Sequence, residues 1–178
     1  MKFALLLLMF VPALCLAQSN PLKTVAKVDL NKYLGTWYEI ATIPQRFQKG
    51  CTGVTATYSL RKDGKIDVVN QCYKDSLNGK HKQVHGKAWV TDIVSNAKLK
   101  VQFFWPFSGD YWIIELDSNY QYAVVGHPNR NYLWILCRTP QMDQGLYNSL
   151  LNRISAVHGY DTGKIKKTLQ PAESPVRQ

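Results

Sequence analysis

Eight short runs rich in β-branched and aromatic residues, each bounded by Gly, Asn, Asp or Pro, fill the middle of this chain of 178 residues. Runs of this kind at close spacing are typical of an antiparallel sheet, folded as a sandwich or as a barrel. Since 46% of the residues are hydrophobic, the chain can bury one substantial core, which indicates a single domain. The predicted strands are 36–41, 54–60, 66–73, 84–91, 97–105, 111–116, 122–126 and 132–137.

Turn residues predict how these strands connect. Asp63-Gly64, Asn78-Gly79 and Ser108-Gly109-Asp110 are typical of hairpin turns. The stretch 43–52 is too long and irregular for a hairpin and contains Pro44, so it predicts a large loop folded over a barrel mouth.

The two faces of the predicted strands differ, which bears on whether the sheet encloses a space. Val101, Phe103 and Trp105 form an apolar face, whereas Lys100 and Gln102 lie on the opposite face. An eight-stranded closed sheet has room inside for side chains alone or for one small ligand. Small residues at inward positions favour the ligand, while a solid aromatic core is the alternative; these residues are Ala56, Gly86, Ala88 and Ala123.

After residue 140 the hydrophobic spacing changes from that of a strand to that of a helix. Apolar residues four apart predict a helix of about four turns whose apolar stripe packs on the outside of the sheet. We expect Thr139 as its N-cap, Pro140 at its first position, and His158-Gly159 as its end. A last short strand is expected at 166–169. The apolar stripe consists of Met142, Leu146, Leu150 and Ile154.

The first seventeen residues have the form of a secretory leader. They carry the single charge Lys2, an apolar run, and small residues at the expected cleavage site. We therefore assign 1–17 to a signal peptide and 18–178 to one folded domain. A second reading stays open, in which Cys15 is lipidated and tethers the protein to a membrane. No later window reaches the length of about 20 apolar residues that a membrane helix needs.

The chain is strongly basic, with a formal net charge of +10 that becomes +9 when Lys2 is removed with the leader. The lysines and arginines are scattered over loops and alternate strand positions, and they form no continuous basic stripe. This pattern argues against a nucleic-acid partner. It is compatible with association with an anionic membrane surface.

Three cysteines remain after the leader is removed. Because 62–65 is predicted to be a hairpin turn, Cys51 and Cys72 can meet across neighbouring strands, and we predict a disulfide between them. Cys137 is then expected to be a buried free thiol. An unpaired cysteine also leaves pairing between two chains open, so a homodimer is possible.

Two segments of the chain resemble those of the lipocalins, small β-barrels that carry apolar molecules. The first, 33–41, contains Gly35 and Trp37 in the Gly-x-Trp pattern of that family, and the second, 132–140, contains its arginine as Arg138. The ordered set of segments is most similar to the bacterial outer-membrane lipocalins and to apolipoprotein D. The family's middle block is kept only as Asp117. This resemblance implies an all-β fold: an eight-stranded antiparallel up-and-down β-barrel with one C-terminal α-helix packed on the outside.

The resemblance also implies structural roles and a function. Gly35 permits a turn, Trp37 plugs the closed end, and Arg138 packs across the indole. The lumen would hold fatty acids, lysophospholipids or similar lipids for storage or transport in the cell envelope, with the headgroup at the mouth. Strand alternation and family pattern together predict these lipid-binding residues: Tyr58, Val68, Ala88, Val101, Phe103, Tyr111, Ile113, Val125 and Trp134.

Other functional classes receive less support. A lipid-transforming enzyme would need a catalytic group, and Glu39, on the same strand face as Trp37 and Ala41, is the one candidate. We expect no enzyme, no cofactor and no metal site. A ligand-free protein that binds envelope components is the third class. We expect the protein in the periplasm or at the outer membrane, or alternatively secreted.

Overall fold

A computed structural model describes residues 20–172, so the predicted leader and Cys15 lie outside the described residues. A short helix α1 (Leu30–Tyr33) precedes the strands, and the helix α2 (Gln144–Ala156) follows the eighth strand. The strands are β1 (Gly35–Thr42), β2 (Cys51–Leu60), β3 (Ile66–Lys74), β4 (His81–Val90), β5 (Lys98–Phe104), β6 (Phe107–Leu116), β7 (Tyr122–Gly126), β8 (Leu133–Cys137) and β9 (Lys166–Lys167). Within 20–172, no helix is both long enough and apolar enough to cross a membrane.

The first eight strands close into an antiparallel up-and-down barrel. Each strand pairs with its neighbours in sequence, and β1 closes the ring by pairing with both β2 and β8. In β1, Trp37 lies opposite Ala56 of β2, and Glu39 lies opposite Leu136 of β8. The predicted fold is therefore confirmed, and closure removes the exposed edges that an open sheet would present.

The barrel has two different ends. The connections 61–65, 91–97 and 117–121 lie at the end where β1 begins, which we call the closed end. The connections 43–50, 75–80, 105–106 and 127–132 lie at the opposite end, which we call the mouth. The long loop 43–50 contains a 3₁₀ turn at Arg46–Gln48 and belongs to the mouth, as the sequence predicts.

Near the mouth, β1 and β2 separate, and the C-terminal segment fills the gap between them. The backbone N–H of Thr168 donates to the carbonyl of Ile40, and the N–H of Gly53 donates to that of Leu169. The buried Gln170 amide donates to the carbonyls of Glu39 and Val54, at 2.9 and 2.8 Å. Residues 166–170 therefore satisfy backbone groups that would otherwise be unpaired in the barrel wall.

Helix α2 packs on the outside of the barrel as predicted, but the predicted N-cap is wrong. The Asp143 carboxylate accepts a hydrogen bond from the Leu146 N–H at 2.8 Å, so the helix begins four residues after Pro140. Asp is favoured at this position both as an acceptor and as an anion near the helix dipole. The Thr139 hydroxyl instead donates to the Gln141 carbonyl at 2.6 Å.

The hairpin between β5 and β6 also differs from the prediction. Ser108-Gly109-Asp110 lies within β6, and the turn lies earlier, at Trp105-Pro106, where Phe104 pairs with Phe107. Proline lacks a backbone donor and fits a turn better than a paired strand position. The alternation that placed Trp105 on the inner face therefore ends at Phe103.

Two hydrophobic clusters lie on opposite faces of the sheet. The inner cluster fills the barrel and includes Trp37, Ile113 and Val125; the outer cluster, between the sheet and α2, includes Leu150 and Ile154. This division follows from strand alternation and from the apolar stripe of α2.

The cysteines are arranged as the sequence predicts. Cys51 and Cys72 form a disulfide with their Cα atoms 5.5 Å apart. Cys137 is free and buried in the outer cluster. A bond from Cys137 to a second chain would require this side of the outer cluster to open.

Candidate ligand-binding site

All nine predicted lipid-binding residues belong to the inner cluster or pack directly against it. They are not equally exposed: Tyr58, Val68, Ala88, Ile113 and Val125 are buried, whereas Val101, Phe103, Tyr111 and Trp134 are partly exposed. Tyr58, Val68 and Ala88 lie in the closed-end halves of their strands, and Phe103 and Trp134 lie in the mouth halves. The inner face is therefore buried at the floor and partly exposed at Phe103 and Trp134 toward the mouth, although Val125, opposite Trp134, is fully buried.

The floor of the barrel also contains polar groups. The Tyr111 hydroxyl lies 2.8 Å from the Tyr33 hydroxyl and 2.9 Å from the Tyr58 hydroxyl. Burial is the largest cause that raises the pKa of all three tyrosines, that of Tyr58 to about 12, so the cluster is uncharged near neutral pH. Three hydroxyl protons share two hydrogen bonds, so one proton is not used within the cluster.

The closed end is sealed by Gly35 and Trp37 of the Gly-x-Trp pattern and by Arg138. Trp37 is fully buried, and its indole N–H donates to the Tyr33 carbonyl at 2.8 Å. The Arg138 guanidinium lies 3.8 Å from the centre of the Trp37 ring and donates to the carbonyls of Lys32 and Thr36 at 2.7 and 2.9 Å. A cation over an indole face is favourable and excludes water from that end.

Gly35 has a backbone conformation that suits glycine. Its φ is +91°, and a Cβ atom there would lie 3.3 Å from the Arg138 guanidinium. A side chain at this position would be strained and would crowd the arginine.

Toward the mouth, a buried carboxylate joins the barrel wall to the first loop. Glu39 accepts hydrogen bonds from the Gln48 amide at 3.0 Å and from the Thr168 hydroxyl at 2.5 Å. The side-chain oxygen of Gln48 in turn accepts a hydrogen bond from the Trp134 indole N–H at 3.4 Å. Burial raises the pKa of Glu39, although these hydrogen bonds oppose the shift.

The prediction that Glu39 shares a strand face with Trp37 and Ala41 is wrong for Ala41. The register of β1 against β8 shifts between Glu39 and Ala41, so Ala41 packs in the outer cluster and does not share the face of Trp37. A β-bulge inserts one extra residue and so changes which side the following residues face. A cleft of about 560 Å³ lies beside Glu39, between the loop 43–50 and residues 166–169.

Comparison with known proteins identifies the family. The lipocalin-like domain family matches residues 28–170. The chain is a lipocalin. It is 41% identical over 152 residues to the outer membrane lipoprotein Blc of Vibrio cholerae, covering 85% of this chain and 88% of that protein. It is 38% identical over 149 residues to apolipoprotein D of Macaca fascicularis, covering 80% and 77% of the two chains.

A solved structure gives the same fold at low sequence identity. Insecticyanin from the tobacco hornworm Manduca sexta superposes with a TM-score of 0.66 at 20% identity, covering 83% of each chain. The family binds small hydrophobic ligands.

Sequence reasoning missed two features of the site in this lipocalin. Tyr33 lies in a segment that resembles the family, and the sequence does not indicate that its hydroxyl belongs to the floor cluster. Gln48 lies in the mouth loop, where no strand alternation predicts the direction of a side chain. Among residues 20–172, no group of three or more His, Cys, Asp or Glu side chains is arranged to hold a metal ion.

Proposed function

We propose that this lipocalin is a reversible carrier of single-chain lipids, such as fatty acids or lysophospholipids. The supporting observation is the change in exposure along the inner face, from buried residues at the sealed floor to partly exposed Phe103 and Trp134 near the mouth. An acyl chain that enters from the mouth leaves water at about 0.8 kcal/mol for each buried CH₂ group. The headgroup stays at the mouth, beside the polar network of Glu39 and Gln48.

A carrier role also agrees with the hydrogen bonds of Glu39, the one buried carboxylate among residues 20–172. Both oxygens of Glu39 accept hydrogen bonds from groups that hold the mouth loop and the C-terminal segment in place. This arrangement uses both carboxylate oxygens for structural hydrogen bonds, although Glu39 also borders the cleft beside the mouth loop. A binding function therefore accounts for Glu39 without a catalytic step.

The test places a charge on the inner face and a matched charge on the outer face. Trp134→Arg introduces a guanidinium among apolar lumen residues, and we expect at least a tenfold loss of affinity for a C16 or C18 fatty acid. Trp89→Arg is the control, because Trp89 lies on β4 next to the inward-facing Ala88 and belongs to neither hydrophobic cluster. Binding is measured by quenching of tryptophan fluorescence, with circular dichroism to check the fold. Unchanged affinity in folded Trp134→Arg would contradict the assignment of the lumen.

We propose further that the protein acts in the cell envelope, in the periplasm or at the outer membrane. The form of residues 1–17 supports export, and the similarity to an outer membrane lipoprotein of Vibrio cholerae supports the location. Native mass spectrometry of protein from its own cells measures the bound lipid, acylation at Cys15 and the oligomeric state together. Recovery of the protein from the cytoplasm with its leader uncleaved would refute the location.

A further inference from the structure

We propose that the mouth of the barrel docks on an anionic lipid bilayer, with the β5–β6 hairpin tip inserted between the headgroups. This inference rests on the proposed carrier function and assigns the surface through which the lipid is exchanged. It is carried by two properties of the rim: exposed aromatic side chains and unpaired basic side chains.

The aromatic side chains stand at the tip of one hairpin and on the neighbouring loop of the mouth. Phe104, Trp105 and Phe107 are 71%, 87% and 78% exposed, and Phe47 in the loop 43–50 is 73% exposed. Four large aromatic rings at one end of a small domain are costly in water and mark an interaction site. Tryptophan in particular is favoured at the interface between headgroups and hydrocarbon.

The same rim carries positive charge that the protein does not neutralise. Arg46 and Lys49 are exposed in the loop 43–50, and Lys80 is exposed in the connection 75–80. Within residues 20–172 none of these three forms an ion pair, whereas the exposed Asp75 of the rim is paired with Lys74 at 2.7 Å. Basic residues held near an anionic leaflet each strengthen binding to it.

Together these features favour a bilayer over a protein partner. Projecting rings on a narrow hairpin tip match a soft, apolar layer that they can enter, and the surrounding charges match anionic headgroups. The rings also surround the end at which the inner face is most accessible. A lipid that moves from the bilayer into the lumen at this end avoids the unfavourable exposure of its acyl chain to water.

The closed end supplies a matched control for the apolar contribution. Ile93 and Val94 are 85% and 81% exposed, as much as the aromatic residues of the mouth, and they lie in the connection 91–97. The same number of apolar side chains can therefore be removed from either end. Lys62 and Lys65, in the connection 61–65, provide basic residues at the closed end for a matched removal of charge.

The experiment measures co-sedimentation of non-acylated protein with vesicles of pure phosphatidylcholine or of equal parts phosphatidylcholine and phosphatidylglycerol. We expect binding to the anionic vesicles that weakens as salt is added. Trp105→Ser with Phe107→Ser should reduce this binding at least tenfold, and Ile93→Ser with Val94→Ser should leave it unchanged. Equal losses in the two double variants, or no loss in the first, would overturn the proposal.

A second pair of variants separates charge from apolar insertion. Arg46→Gln with Lys49→Gln should reduce binding to the anionic vesicles at least threefold, and Lys62→Gln with Lys65→Gln should not. Fatty-acid affinity in solution, measured without vesicles, should be unchanged in every variant, so that failure of docking and failure of the carrier function are told apart. If the wild-type protein sediments as a dimer that Trp105→Ser with Phe107→Ser dissociates, the tip binds a second copy and the bilayer assignment is wrong.

Discussion

Replacing Arg138 by methionine tests how the closed end of the barrel is held together. In the native protein, the guanidinium stacks on the Trp37 ring and donates to four backbone carbonyls, those of Lys32, Thr36, Tyr33 and Tyr120, at 2.7, 2.9, 3.3 and 3.3 Å. One side chain therefore connects the segment before β1, β1 itself and the turn between β6 and β7. Methionine keeps much of the length of this side chain but has neither the charge nor the donors.

The expected cost follows from these contacts. The stacking contributes about 0.5 to 2 kcal/mol, depending on how dry the site is. A hydrogen bond from a charged group contributes about 1.5 to 3 kcal/mol, but the contributions are not additive, and the carbonyls of Lys32 and Thr36 lie near the surface where water can replace the donor. We therefore expect Arg138→Met to lower the free energy of unfolding by about 2 to 4 kcal/mol.

The control uses the same substitution at an arginine with charged partners at the surface. Arg61 forms ion pairs with Asp63 and Asp67 at 3.1 and 2.6 Å, and its side chain is 38% exposed. Solvent screens surface ion pairs, which therefore contribute little to stability, so Arg61→Met should cost less than Arg138→Met. Urea unfolding at pH 7, followed by fluorescence, measures both. A loss below about 1 kcal/mol for Arg138→Met, or equal losses, would refute the assigned role of the stacked guanidinium.

Two further changes test the barrel wall. Replacing Cys51 and Cys72 together by serine should cost about 3 kcal/mol, because the disulfide closes a loop with a sequence separation of 21, and urea unfolding with and without a reductant measures this cost. Burial raises the pKa of Glu39, so the folded state binds its proton more tightly than the unfolded state does, and the stability from this group falls as pH rises above its ordinary value. The Gln side chain of Glu39→Gln does not ionise, so the free energy of unfolding of this variant should rise relative to that of wild type as the pH is raised from 4 to 8. A difference in the free energy of unfolding that does not change with pH would contradict the raised pKa of Glu39.

The barrel could be predicted from the sequence because its determinants are local. Strand alternation and turn residues give the eight strands, and Asp63-Gly64 brings Cys51 and Cys72 onto paired neighbours, where the disulfide forms. The apolar stripe that includes Leu150 and Ile154 likewise places α2 outside the sheet. In each case, the information lies within a few residues along the chain.

The parts that could not be predicted depend on contacts between distant segments or on breaks in the alternation. The bulge after Glu39 moves Ala41 to the outer face, and no residue type in β1 indicates it. Residues 166–170 fit between β1 and β2 only because those strands separate near the mouth. The exposure of Trp105 depends on where the β5–β6 turn lies, and Gly109 offered a competing turn signal four residues later in the chain.

The two ends of the barrel differ in how firmly their side chains are fixed, and this difference bears on function. At the closed end, Trp37 and Arg138 have several partners each, so an opening there breaks the stacking and the hydrogen bonds together. At the mouth, the first loop is held by the hydrogen bond between Gln48 and Glu39 and by bonds from Lys74 and Asp75 to the carbonyls of Lys49 and Gly50, and the rings of the β5–β6 tip face solvent. Under the proposed carrier function, a lipid enters and leaves at the mouth, because Trp37 and Arg138 seal the closed end.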